Sequence, residues 1–480
     1  MAYEAVIGLE VHTQLITNSK MFCGCRNAFG GEPNTRICPV CLGYPGVLPV
    51  INREAVRKTV MAGLMCGCEV VGYGKFDRKN YFYPDMPKNY QLSQYDLPLC
   101  RGGSVHISGL GFSGEPLNER EIRLTRMHLE EDTGKLTHLG RFSGVDFNRA
   151  GVPLLEIVTE PDMHTPDEAH AFLTALKELM QYAGVSQCDM EKAQMRCDVN
   201  VSLRPVGQTA FGEKIEIKNL NSFRAVHRAL NYEIERQAEA LESGEALRQE
   251  TRGWDDSAGV TVVQRTKEHA HDYRYFPEPD LMPMDITADW VEEIAASLPE
   301  APQARRERFM TQWELSEYDA GVLTAEKAMA DYFEEAAGTS SNPKAVANWM
   351  MTELIRELGD AGTGISDSPV SAASLSELVN LIEDKTISGK IAKSVFADMI
   401  STGKAPGAIV KEKGLVQVTD SGAIDAFVQQ AIDENPSVVE EYLSGKGKAL
   451  QYLVGQVMKF SRGKANPQMV VAALKSKLGS

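Results

Sequence analysis

Near the N-terminus Gly8, Glu10, His12 and Gln14 alternate with Leu9, Val11, Thr13 and Leu15, the period of two that predicts a strand with one polar face. Later the period changes. Thr165 reads as an N-cap, Pro166 as the first helical residue and Glu168 as the closing member of a capping box. Apolar Phe172, Leu173, Leu176 and Leu179 follow, with a stop at Gly184, so a helix is predicted there. A second helix is expected over about 222–241. Up to about residue 290 the chain is rich in Gly, Pro, Tyr and alternating segments, which favours strands and ordered loops. Beyond 298–302 it turns helical and rich in Ala and Glu, with breaks near 359–369 and 403–407. The pattern predicts an α+β protein: a mainly antiparallel mixed domain over 1–293, an all-helical domain over 294–405 and a small helical tail domain over 406–480.

Composition fits that division. A chain of 480 residues, 43% of them hydrophobic, exceeds one ordinary core and is expected to form several domains. No apolar run reaches the length of a membrane span, and Met1-Ala2-Tyr3-Glu4 has no basic region leading into an apolar segment, so a cytoplasmic location is expected. A net charge of −16 argues against a nucleic-acid partner, because phosphate binding needs clustered Lys and Arg. The average hides a gradient. From 443 to 480 there is no acidic residue, while Lys446, Lys448, Lys459, Arg462, Lys464, Lys475 and Lys477 are present. Charge alone leaves two readings open, a tail for a polyanion or a solvated helix face.

Candidate chemistry begins with Glu10 and His12. Two residues apart on a strand, they lie about 7 Å from one another along one face, close enough to address one ion or one phosphate. A solvated strand face fits the same spacing. Further carboxylates occur in 127–135, where a strand-like entry leads into a turn. Glu156 differs because it sits in the apolar run 153–158, where an unpaired charge is costly and a cation is wanted. Asn148 and Arg149 precede Gly151 and Pro153, a turn able to aim a guanidinium at a phosphate or carboxylate; an Arg149–Glu156 salt bridge is the other reading.

The run 76–88, with Lys79, Tyr81, Tyr83 and Lys88, is too interrupted by Pro for a helix and too charged for a core strand, so a site-lining loop is expected. A similar mixture returns at 273–280. Aromatics interleaved with cations can stack on bases and hold phosphates, although simple packing explains any one of them. Cys23 and Cys25 with Cys38 and Cys41 offer four thiolates, enough for a closed structural zinc site; free thiols are the alternative. The GxGxxG match at 109–114 is followed by Pro116 and a strand-like segment instead of a helix, and there is no Walker A or HExxH motif. Ser341 to Lys344 fits SxxK but reads as an N-cap followed by Pro. No clear nucleophile with a base is evident for amide hydrolysis; if ammonia is needed, another chain must make it.

Gly8-Leu9-Glu10-Val11-His12, the segments 76–84 and 130–135, the run Val145-Asp146-Phe147-Asn148-Arg149-Ala150-Gly151-Val152-Pro153-Leu154-Leu155-Glu156 and the segment 273–280 occur in an order and spacing that resemble the B subunit of the tRNA-dependent Glu/Asp amidotransferases. The likeness spans essentially the whole chain, including Gly445-Lys446-Gly447-Lys448 and Arg462-Gly463-Lys464 in the tail. The archaeal E-type paralogue carries a large insertion for which this chain has no room. The resemblance implies a cradle-like catalytic domain that activates the side-chain carboxylate of tRNA-esterified Glu or Asp with ATP, then lets ammonia displace phosphate. It implies Mg²⁺ on His12, Glu131 and Glu156, with Glu10 beside it. Lys79, Tyr81, Tyr83, Lys88 and Arg149 are placed around ATP or the aminoacyl end. Strand parity alone does not separate Glu130 from Glu131; the resemblance selects Glu131. It further implies tRNA contacts from Lys446, Lys448, Arg462 and Lys464; some family members lack the four cysteines, which supports a structural role for a Zn²⁺ there and leaves its presence dependent on these residues. The implied assembly is a heterotrimer with a glutaminase, the A subunit, and the small C subunit, working on tRNA(Gln), tRNA(Asn) or both.

Overall fold

The alternation at the N-terminus forms β1, Tyr3–Gln14, in a computed structural model that describes residues 2–266, 273–416, 420–461 and 464–479. Ile7, Leu9 and Val11 of β1 are buried in a core with Phe172, Leu173 and Leu176 of α1 (Pro166–Tyr182) and Val226 and Leu230 of α2 (Phe223–Ser243). The helices therefore cover the apolar face and leave Glu10 and His12 on the other. α1 begins as the sequence dictates: the Thr165 side chain accepts from the Glu168 backbone, and the Glu168 carboxylate accepts from the Thr165 backbone. α2 is capped by Ser222 and ends on Gly244, whose φ of +79° suits a residue without a side chain.

Three further strands place the site: β2 (Arg120–Glu131), β3 (Pro153–Thr159) and β4 (Met195–Pro205). They belong to a ten-stranded sheet whose main path runs Val260–Thr266, Glu250–Asp255, Ile215–Leu220, β4, β1, β3, β2, Cys100–Arg101, Glu69–Val70, with Ser104–Ile107 also paired to β2. All these pairings are antiparallel except that of Ile215–Leu220 with Glu250–Asp255. This is the mainly antiparallel α+β arrangement expected.

One expectation fails locally. Asp77–Asn80, expected in a loop, is a strand between Tyr90–Ser93 and Phe276–Pro277. Its charges are tolerated because each has a partner: Asp77 pairs with Lys75 at 2.7 Å, Arg78 holds Glu278 through two bonds of 2.7 Å, and Lys79 lies 5.1 Å from the centre of the Tyr273 ring. The glycine-rich 109–114 segment is a loop latched to α1, where Asp167 accepts from the Ser113 amide and hydroxyl.

The chain divides into compact units at Pro302/Gln303. Within the second unit, Phe309, Phe333, Leu354, Leu375 and Phe396 belong to one core, and Ile424, Val428, Leu453, Val457 and Leu474 to another. Asn342 caps the helix Pro343–Trp349, with Pro343 at its first position. The expected breaks fall where Ile355–Ala361 gives way to a short 3₁₀ turn at Ile365–Asp367, and between Gly389–Thr402 and Pro406–Glu412.

Candidate active site and metal centres

Strand register assembles the main site. His12 of β1 is paired with Glu156 of β3, and Glu156 with His128 of β2, so the three side chains form one row across three strands. His12 Nε2 and His128 Nε2 each lie 3.3 Å from Glu156 Oε2. Two residues along their strands, Glu10 and Glu130 extend the row; His12 Nε2 is 3.5 Å from Glu130 and 4.0 Å from Glu10. Lys79 adds a cation at this face: burial alone would lower its pKa, but the charges of Glu130, Tyr275 and Glu156 hold it raised.

Burial would raise the Glu156 pKa, yet His128 and His12 hold it well below the usual carboxylate range. Burial likewise works against a charged His12, whose hydrogen bond and charge interaction with Glu156 lift it to about 9. Glu10 moves the other way, raised by burial and by repulsion from Glu156. Protons on imidazole thus balance the carboxylates here, and a divalent cation could take over that role. Ligand atoms of Glu10, His12 and Glu156 lie within 4.8 Å of one another, as do those of His128, Glu130 and Glu156. The oxygen-rich set with one or two imidazoles suits a hard cation.

Glu131, expected in this group, faces away from it. It follows Met127 and Leu129 onto the core side of β2, where it pairs with Lys88 and accepts from the Leu92 amide at 3.0 Å. Glu130, with the parity of His128, takes the position beside His12. Lys88 and Glu131 instead line a cavity of about 240 Å³ together with Phe22, Cys41, Tyr44 and Tyr90.

Arg149 faces neither Glu156 nor the row of carboxylates. Its guanidinium donates to the Thr133 and Gly134 carbonyls at 3.0 and 2.7 Å and lies 3.6 Å from Asp132. Buried Asp132 also accepts from Gln14 and Arg196, each at 2.8 Å; burial would raise its pKa, and the two arginines hold it down. Arg149 borders a separate cavity of about 500 Å³ with Gln14, Arg36, Lys135 and Asn148. Tyr81 meets Tyr273 edge to face at 6.5 Å, and Tyr83 is exposed.

Cys23, Cys25, Cys38 and Cys41 bring their four sulfurs within 4.8 Å of one another. The Cys38 amide donates to Cys41 Sγ at 3.2 Å, which favours a thiolate there. Four converging sulfurs fit a tetrahedral soft-metal site with no open position. In the tail, Lys446 and Lys448 are exposed and Lys464 is half-buried. Arg462 lies outside the described residues.

His128 in the row, and Asp132 and Arg196 beside Arg149, are residues that sequence reasoning does not single out, while Glu130 is one that it leaves level with Glu131. The signal for His128 and Glu130 is their shared parity on one strand, usable only once that strand is known to pair with the one bearing Glu156.

Two family matches cover most of the chain: the GatB/GatE catalytic domain at residues 5–292 and the GatB domain at residues 331–478. Among curated proteins, the B subunit of the aspartyl/glutamyl-tRNA(Asn/Gln) amidotransferase of Carboxydothermus hydrogenoformans is 55% identical, with 99% of each chain covered. Its namesake in Caldanaerobacter subterraneus subsp. tengcongensis is 54% identical over the full length of both. The sheet with its carboxylate–histidine row, the helical regions that follow and this end-to-end identity agree, and the chain belongs to the B-subunit family of the aspartyl/glutamyl-tRNA(Asn/Gln) amidotransferases.

Proposed function

We propose that this chain is the ligase-type B subunit of a tRNA-dependent amidotransferase, converting Glu esterified to tRNA(Gln), Asp esterified to tRNA(Asn), or both, into the corresponding amide. The row Glu10, His12, Glu156, His128 and Glu130 carries the reading, because a tRNA-binding scaffold has little need for carboxylates converging on a cation site. An oxygen of the substrate side-chain carboxylate attacks the γ-phosphorus of ATP, and ADP leaves. Ammonia then attacks the acyl carbon, and inorganic phosphate departs with the C–O electron pair. His12, Glu130 and Glu156 would hold a Mg²⁺ ion, which would supply charge neutralisation for the phosphates. Lys79 faces the same anions. Glu10, at the margin of the row and with a raised pKa, is placed to accept the proton that the attacking nitrogen must lose.

Ammonia comes from a glutaminase, the A subunit, and the small C subunit makes up the third member of a cytoplasmic heterotrimer. Among the described residues no helix is long and apolar enough to cross a membrane. Tyr81, Tyr83, Lys88 and Arg149 serve ATP or the aminoacyl end, Lys88 and Arg149 from the two cavities they line. The four cysteines hold a structural Zn²⁺. Lys446, Lys448, Arg462 and Lys464 contact the tRNA backbone. The deciding experiment is amidation of purified Glu-tRNA and Asp-tRNA by the reconstituted complex; ATP-independent amide hydrolysis, or no turnover of either tRNA, would reject this function.

A further inference from the structure

Lys20 is an unusual neighbour for the cysteine cluster. It is among the largest fully buried side chains, 1% exposed, and precedes an apolar pair, Met21 and Phe22, that joins the core. Its ammonium lies 3.7 Å from Cys41 Sγ and donates to the Phe147 carbonyl at 3.2 Å. A buried ammonium needs anionic or carbonyl partners, and Lys20 has a sulfur of the cluster, anionic as a thiolate, and a carbonyl of the 145–156 run.

The surrounding bonds show what that link joins. The Met21 amide donates to the Gly151 carbonyl at 2.7 Å, and the Arg36 amide to Asn148 Oδ1 at 2.8 Å. Asn34 accepts from the Phe147 amide at 2.8 Å and donates to the Val145 carbonyl at 2.9 Å. The cysteine-bearing segment is thus stitched to the run that leads into Glu156. At Gly151, φ +79°, an added Cβ would stand 3.5 Å from Cys41 Cβ, 3.7 Å from Lys20 Cδ and 3.8 Å from Glu131 Oε2, so the three groups converge on one point of backbone.

Four thiolates around a divalent ion leave a net charge of −2, which is costly in a buried setting. We propose that Lys20 is a positioning residue of the four-cysteine metal site, offsetting part of that charge and fastening the metal-bearing segment to the 145–151 turn. The proposal rests on the reading that these cysteines bind zinc. It carries no role in ligation, since the ammonium is a donor.

The test uses the full chain loaded with zinc and a chromophoric chelator to follow release. Lys20→Met removes charge and donor; Lys20→Gln keeps a donor for the Phe147 carbonyl and removes the charge. Both variants should release zinc about tenfold or more faster than wild type, the range seen when groups around metal ligands are lost. Hydrogen exchange at 145–151 should also rise when zinc is stripped from the wild type. Release at the wild-type rate from both variants, or from Lys20→Gln alone, overturns the charge role, and unchanged exchange on stripping overturns the fastening. A wild-type chain that binds no zinc overturns the metal reading itself, an outcome distinct from the others.

Discussion

His12 and Glu156 are register partners on β1 and β3, with Nε2 3.3 Å from Oε2, and this pair fixes the centre of the carboxylate row. Glu156 is buried and takes both imidazoles, so a neutral isostere keeps its volume while removing the charge a cation needs. Glu156→Gln is expected to leave tRNA binding nearly intact and to lower Glu-tRNA-dependent ATP cleavage by roughly 10²–10³-fold, the scale on which loss of one electrostatic stabiliser acts. Single-turnover ADP release on a fixed amount of bound Glu-tRNA measures this. Undiminished cleavage would remove Glu156 from the chemistry.

Glu130 and Glu131 should fail in different ways. Glu130→Gln removes a candidate ligand and is expected to raise the Mg²⁺ concentration needed for half-maximal ATP cleavage by about tenfold or more, with little change in stability. Glu131→Gln removes the charge that pairs with half-buried Lys88 and should cost about 1–3 kcal/mol of stability. Mg²⁺ titration of activity beside chemical denaturation separates them. An exchange of the two phenotypes would return Glu131 to the metal.

How much of this is legible in the sequence depends on how local the cause is. α1 is readable to its cap because Thr165, Pro166 and Glu168 satisfy one another within a single turn. Glu156 is readable because its conflict with an apolar run is local as well. Glu130 against Glu131 is not, since the choice rests on which face β2 turns to β3, a register set by pairing along the strands. The strand Asp77–Asn80 escapes a sequence reading for a related reason. Its Arg78 is neutralised by Glu278, 200 residues away. Arg149 is legible as a directed cation, but its anchor is the Asp132–Gly134 turn, which lies beside it only in the fold.

In the second unit, Arg305 holds Asp331 and Glu334 at 2.6 Å each, and both carboxylates have pKa values below the usual range; burial opposes this, and hydrogen bonds from Lys327, Arg305 and Arg308 outweigh it. A depressed carboxylate pKa gives stability that is present above the unfolded value near 4 and lost as pH falls through the folded value. Both carboxylates are more than a third exposed, so screening limits the contribution to on the order of 1 kcal/mol. Arg305→Met should therefore increase hydrogen exchange in Pro302–Gln312 and Lys327–Thr339 at pH 7. Its difference from wild type should shrink as pH falls below about 4. A difference that grows on acidification would contradict the sign.

The tail tests the charge gradient. Among the described residues Lys446 pairs with Glu441 at 3.4 Å, a surface contact that contributes little to folding and leaves its charge available to a phosphate. Lys448 begins the helix Lys448–Phe460 and is exposed, and Lys464 lies just before Pro467–Leu478. Replacing Lys446, Lys448 and Lys464 by Ala should keep the small core around Leu453, Val457 and Leu474 intact, because none of the three belongs to it. Each lysine that neutralises a phosphate should contribute about one unit to the slope of log K against log salt. The triple variant is expected to bind tRNA more weakly at low salt and to lose about two to three units of slope, with ATP cleavage at saturating tRNA unchanged. Filter binding across a salt series gives the slope directly. A weaker affinity with an unaltered slope would trace the loss to changed structure, and an unaltered affinity would make these lysines a solvated face.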